Sequence, residues 1–213
     1  LLDAAGAIPA QTAAFFTATR RMSPRPLPAE AICVSRFALD AALAGEFSRI
    51  GGGLIAGQRW RDEEYAEGII RAAGRRVSAE QGNERWFGLK IHARHVRLTA
   101  DLEMHLSPQG YVGICQLNGG EVNVCGLFRR LAGENNQTNA RELLRGLPGS
   151  PLRERLAAAE FDDDSFCAIA GLSLRPQLAA ERHELCVGDA ITMIPPVTGN
   201  GMSMAFESAE LAV

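Results

Sequence analysis

Positive charge is not in excess in this 213-residue chain: 22 Lys and Arg face 25 Asp and Glu, giving a net charge of -3 and a pI near 5.9. The basic stripe that a phosphate backbone selects is missing, so no nucleic-acid partner is implied. No apolar run approaches the roughly 18 residues a membrane helix needs. Leu1-Leu2-Asp3 lacks the basic start of a secretory leader, and a cytoplasmic protein is expected. Cys33, Cys115, Cys125, Cys167 and Cys186 form no C-x-x-C pair, which argues against a zinc site and a disulfide framework and leaves them as reduced core thiols. Asp162-Asp163-Asp164 lacks the following Gly and distal Glu of a calcium loop and reads as a solvated turn. His95, His105 and His183 lack ligand spacing, so no metal is assigned. The ends lack signals too: the chain opens without Met in a helix-like stretch, residues 1–6, and stops at Val213 with its last helix uncapped, as a fragment would.

What is present is an ordinary globular composition, 46% hydrophobic and 22% charged, enough for one large domain or two small ones. Residues 11–21 form a polar and aromatic segment, and the prolines at 24, 26 and 28 make a connector. Residues 31–34 are a brief strand candidate. Ser35 is placed to cap a helix with Phe37, Leu39, Leu43 and Phe47 on its apolar side. Arg36 then falls in the first turn, where a cation opposes the helix dipole; it is either solvated or shares an anionic group with the backbone amides. Residues 54–55 and 68–72 are short strand candidates around a charged turn at 59–67, and residues 71–84 form a polar boundary.

Beyond that boundary the pattern alternates. Leu89, Ile91 and Ala93 take one face of a strand, and Lys90, His92 and Arg94 the other. Lys90 and His92 could line a substrate pocket or be solvated and paired. Residues 101–106, 111–117 and 121–128 follow, joined by Ser107-Pro108-Gln109-Gly110 and Asn118-Gly119-Gly120, so four consecutive strands are expected as an antiparallel meander. Residues 140–147 and 152–159 are short amphipathic helices split by Pro148-Gly149-Ser150-Pro151. Residues 166–172 form another strand, and residues 174–184 a polar connection.

The last stretch carries the strongest signal. Residues 184–187 are a short strand ending in Gly188-Asp189. Pro195-Pro196 forbids helix, and Gly199-Asn200-Gly201 tolerates positive φ before a helix bearing Met202, Ala205, Phe206 and Ala209 at helical spacing. A helix N-terminus preceded by bare backbone receives anions and carbonyl oxygens, because unpaired N–H groups converge there.

Gly188-Asp189 after an apolar strand, then Pro195-Pro196, Gly199, Gly201-Met202 and Ala205, resembles the second flavin-binding motif of FAD-dependent oxidoreductases of the para-hydroxybenzoate hydroxylase and geranylgeranyl reductase superfamily. Ser35-Arg36 with Leu39-Asp40 and Leu43 is similar to that superfamily's R-x-x-L-D-x-x-L helix start, and residues 86–94 with the meander to its substrate sheet. The resemblance covers nearly the whole chain. It implies an α/β (α+β) fold: an incomplete FAD/NAD(P)-binding Rossmann-like domain, residues 1–84 and 161–213, with an inserted antiparallel-sheet substrate domain at 85–160.

By that resemblance Asp189 would accept from a ribityl hydroxyl, and Gly188 would admit the pyrophosphate. Pro195, Gly199, Asn200, Gly201 and Met202 would border the flavin ring edge, and Arg36 would face the phosphate or ring. Lys90 and His92 are the substrate-side candidates. Two departures stand out: the N-terminal G-x-G-x-x-G loop of the family is absent, and Ala72-Ala73-Gly74-Arg75-Arg76 takes the place of the mid-chain Asp-Gly motif. The resemblance implies FAD as cofactor, NAD(P)H as electron donor and a monooxygenase acting on a small organic substrate. A flavin-dependent alkene (geranylgeranyl-type) reductase is the alternative, and a non-catalytic remnant or binding module unable to hold FAD is the reading from another class.

Overall fold

The computed structural model describes residues 1–58, 66–75, 84–131, 139–181 and 183–213. Most of the charged turn expected at 59–67 lies outside the described residues, as do Arg76 and most of the 71–84 boundary. The chain divides into two compact units, Leu1–Ala56 with Phe87–Ile169 and Gly57–Trp86 with Ala170–Val213.

A seven-stranded mixed sheet dominates, built from β1 (Ile8–Phe16), β2 (Arg25–Cys33), β3 (Glu84–Arg94), β4 (Leu102–Ser107), β5 (Gly110–Gln116), β6 (Val122–Leu131) and β7 (Glu160–Leu172) in the order β2-β1-β4-β5-β6-β3-β7. The helices are α1 (Arg36–Arg49), α2 (Ala140–Arg145), α3 (Pro151–Arg155) and α4 (Gly201–Leu211). The α/β class expected from the sequence is the class observed.

Strands β4, β5 and β6 form the expected antiparallel run, with Glu103 opposite Ile114 and Gly113 opposite Cys125. The β4–β5 turn needs its glycine, since a Cβ on Gly110 would sit 2.0 Å from the Leu127 carbonyl oxygen. The expected four-strand meander is corrected at β3, which lies beyond β6, between it and β7. Residues 95–101 are too long for a tight hairpin and include His95 at φ 60; they carry the chain away from β3 before β4 begins. The place beside β4 is taken by β1, in parallel register from Ala13–Leu102 to Phe16–His105.

Strands β1 and β2 correct two expectations, a polar segment and a proline connector. In β1 the register shifts between Ala10 and Thr12, so the period-2 pattern breaks in mid-strand. Asp101 accepts there from the Gln11 and Thr12 amides at 2.8 and 2.9 Å and from Thr12 Oγ1. Those bonds, that from Gln11 first, hold its carboxyl below the usual carboxylate range. β2 accepts Pro26 and Pro28 because it is the sheet's edge, where a missing N–H costs no ladder bond.

On one sheet face Leu89, Ile91, Val112, Ile114, Val124 and Phe128 are buried against Leu144 of α2 and Leu152 and Leu156 from α3 and its end. Asn139 and Ser150 cap these helices, accepting from Arg141 and Arg153 amides. Other local readings change. Residues 1–6 are hydrogen-bonded turns rather than helix. The Asp162-Asp163-Asp164 turn belongs to β7, with Asp163 paired to Arg141 at 2.7 Å. Residues 54–55 are not strand, and 68–72 keeps only a bridge from Arg71 to Cys186. All five cysteines are free, and Cys167 is exposed rather than in a core. Among the described residues no helix is long and apolar enough to cross a membrane.

Candidate functional site

The last 44 residues, in the second unit, bring Gly188, Asp189, Pro195, Gly199, Asn200, Gly201 and Met202 into one run of turns ending in a helix. The expected strand at 184–187 shrinks to one parallel bridge, in which the Arg71 amide donates to Leu185 and the Val187 amide to Arg71. Arg71 and Glu184, both largely buried, approach to 3.4 Å beside it. The chain then enters a 3-10 turn at Gly188–Ala190, with Ala190 buried.

Gly188 has φ +58, and a Cβ there would lie 3.0 Å from the Ala205 Cβ of α4. Both the left-handed backbone and the close approach demand glycine. Its amide donates to Ser208 Oγ at 2.8 Å, and that hydroxyl donates to the Ala205 carbonyl. Ser208 and Ala205 thus lock the turn onto α4. Sequence reading missed Ser208, which one clue could have marked: it follows Ala205 by three residues and so shares its helix face.

Pro195 leads into a 3-10 turn at Pro196–Thr198, closed by Gly199 in the left-handed region at φ +70. Asn200 precedes α4 without a side-chain cap bond, and the first turn of α4 holds no acidic residue. A Cβ on Gly199 or Gly201 would meet nothing within 4 Å. The positive end of the α4 dipole therefore borders open backbone with no acidic side chain in the turn to neutralise it. A group carrying partial negative charge is favoured at such a helix start.

The other predicted residues belong to the first unit. Arg36 opens α1 and pairs with Asp40 at 2.6 Å, both side chains exposed. Ser35 takes the N-cap position without a side-chain bond. Of the expected apolar side of α1 only Leu39 is buried, while Phe37 and Phe47 are exposed. Lys90 is half-buried, its ammonium 5.0 Å above the Phe37 ring, and burial lowers its pKa. His92 is buried, with Nδ1 3.8 Å from Glu121 and its amide donating to Ser165 Oγ. Burial, then the Lys90 charge, lowers the His92 pKa and favours the neutral ring. On the same face of the meander, Tyr111 Oη and Asn123 Oδ1 are buried without a hydrogen-bond partner, a further pair of polar groups the sequence reading passed over.

No protein-family model matches the chain, and no curated protein does. Solved structures do resemble it. A flavoprotein/dehydrogenase from Cytophaga hutchinsonii is 16% identical, with a TM-score of 0.68 over 99% of this chain and 63% of that one. The fold is shared with flavoproteins. The myxobacterial chondrochloren halogenase CndH, described as a variant of FAD-dependent halogenases, is 19% identical over 99% of this chain and 59% of its own, TM-score 0.68. Klebsiella pneumoniae HpxO, complexed with FAD and uric acid, is 16% identical over 95% and 62%, TM-score 0.61. The chain thus spans under two thirds of the length of these structures.

Proposed function

We propose that this chain is part of an FAD-dependent oxidoreductase, an NAD(P)H-dependent monooxygenase acting on a small organic substrate. The observation that carries the reading is the Gly188–Asp189 turn, locked by Ser208 and Ala205 onto a helix whose N-terminus borders open glycine backbone. The likeness in fold to flavoproteins supports it. When bound, the flavin would supply the redox chemistry, taking a hydride from the nicotinamide and activating oxygen. Asp189 would hold the ribityl chain, Gly188 would let the pyrophosphate approach, and the Gly199-Asn200-Gly201-Met202 backbone would stabilise negative charge at the ring edge. Arg36 would contribute positive charge for the phosphates, and Lys90 and His92 would border the substrate. Under this reading residues 1–84 and 161–213 are two parts of the FAD-binding domain, and residues 85–160 the substrate domain.

Titrating FAD against the protein while following flavin fluorescence tests the cofactor. Asp189→Ala is expected to weaken FAD at least tenfold without altering the fold; FAD binding that ignores this change overturns the assignment. Oxygen uptake per NADPH oxidised tests the reaction class. A hydroxylated product formed with oxygen uptake supports the monooxygenase, a saturated product formed anaerobically identifies an alkene reductase, and a folded protein that takes up no flavin leaves a binding module.

A further inference from the structure

Two thiols from strands that are not neighbours meet in the first unit. Cys33 closes the edge strand β2, opposite Ile8 of β1, and Cys115 lies on β5, opposite Leu102 of β4. In a flat sheet β1 and β4 would hold them apart. The register shift in β1 removes that separation. Ala10 faces Ala31 while Thr12 faces Pro26, so Gln11 alone answers residues 27–30, and a strand pair with such an excess on one side bends. The bend brings the approach to β1 against the end of β5: a Cβ on Gly6 would sit 2.9 Å from Asn118 Nδ2, just beyond Cys115. Asp101, which accepts from the Gln11 and Thr12 amides at the shift, precedes Leu102 in the chain and is close enough for its charge to act on Cys33. The Cys33 and Cys115 thiols are hydrogen-bonded to each other.

That contact makes the two sulfurs unequal. The hydrogen bond from Cys115 holds the Cys33 thiol below its ordinary value, and the same bond, followed by burial, pushes the Cys115 thiol up. One sulfur thus ionises more readily beside a neighbour that keeps its proton, which is the arrangement of an attacking thiol and a resolving one. The other cysteines are placed differently. Cys125 lies opposite Gly113 and is pushed up by burial, Cys167 is exposed, and Cys186 belongs to the second unit.

We infer that Cys33 and Cys115 are a dithiol redox site, reduced in this structure, which a small peroxide closes to a disulfide that ties the edge strand β2 to β5. The Cys33 thiolate attacks one peroxide oxygen, the O–O bond breaks and hydroxide leaves, giving a sulfenic acid. The Cys115 sulfur then displaces the sulfenic oxygen. Both thiol protons leave in water, so two thiols and one hydrogen peroxide become one disulfide and two waters, each sulfur giving up one electron. The inference does not rest on flavin binding.

Hydrogen peroxide is the probe, applied to the whole chain carrying Cys167→Ser, which removes the exposed competing thiol. The expected result is the loss of a pair of titratable thiols, recovered by dithiothreitol, with peptide mapping by mass spectrometry joining Cys33 to Cys115. Amide exchange in β2 is expected to slow at least tenfold on oxidation. Adding Cys115→Ser should stop the reaction at a Cys33 sulfenic acid that dimedone traps. No loss of thiols, a crosslink between other cysteines, the same crosslink in equal yield from the chain unfolded in urea, or unchanged exchange in β2 after crosslinking overturns the proposal. Should Cys115→Ser not fold, the mapping of Cys167→Ser with its urea control decides alone.

Discussion

The two units of this chain hold their shape by different means. In the first, a sheet face made of Ile91, Val112, Ile114 and Val124 is closed by Leu144, Leu152 and Leu156, all nearly inaccessible to solvent, and apolar burial dominates. In the second, the described buried residues reduce to Leu172, Cys186, Val187 and Ala190. There the arrangement relies on one strand bridge, the 3-10 turns at Gly188–Ala190 and Pro196–Thr198, left-handed glycines and the Ser208 hydroxyl. A packed sheet tolerates little motion. A stretch of glycine-rich backbone placed against a helix N-terminus leaves amides and open space where a cofactor can sit, at the expense of intrinsic stability.

The contrast can be broken most forcefully at Glu103. Burial would raise its carboxyl pKa, but hydrogen bonds from His105 and Thr99 and the Arg155 charge outweigh it and lower the value to about 2. A folded pKa below the unfolded one means stabilisation that is complete above about 4.5 and is lost as pH falls toward about 2. Glu103→Ala leaves Arg155 without its buried partner and is expected to destabilise the first unit by about 3–5 kcal/mol. Glu103→Gln should erase the acid-limb dependence between those two values. Urea titrations across pH measure both, and a wild-type acid limb surviving in Glu103→Gln would remove Glu103 from this role.

Leu156→Ala, at a site 1% exposed, should cost about 2–5 kcal/mol through lost burial and the cavity left behind. Its effect in hydrogen exchange should concentrate in β3, β5 and β6. Spread of equal size into α4 would mean that the two units do not differ as argued.

Gly188→Ala forces a Cβ into a left-handed residue and against Ala205, at about 1–2 kcal/mol. Faster amide exchange in α4, together with weaker FAD binding, is the expected outcome. Ser208→Ala is the gentlest of these changes. It removes the acceptor for the Gly188 amide and should cost about 1 kcal/mol, with exchange at the Gly188 amide rising before that of its neighbours. An unchanged Gly188 amide would show that the hydroxyl is not what anchors the turn.

Legibility in the sequence followed the range of the interactions involved. Strands β4, β5 and β6 were readable because alternation and turn residues are local, and α4 because Pro195, Pro196, Gly199 and Gly201 bracket its start. Strand β1 was not readable, since its bulge at Ala10–Thr12 breaks the period and one of its two pairing partners, β4, is some 90 residues away in sequence, near Asp101, which satisfies the freed amides. His105 looked like an unattached histidine because Glu103, two positions earlier, appears only as one more residue of the same alternating face. Their direct contact needed the Arg155 and Phe16 side chains to hold both groups in place.

By itself, then, the sequence determined the elements whose signals lie within a few residues: the glycine-rich approach to α4, the capped helices α2 and α3, and the central antiparallel strands. Only the tertiary structure decided the order of strands around them, the clamp of Ser208 and Ala205 on Gly188, and the buried pair of Glu103 and His105. Local signals follow from backbone sterics and short-range hydrogen bonding, which any neighbouring residues express. Strand order and buried polar pairing depend on which distant segments exclude water from one another, and no short window of sequence contains that information.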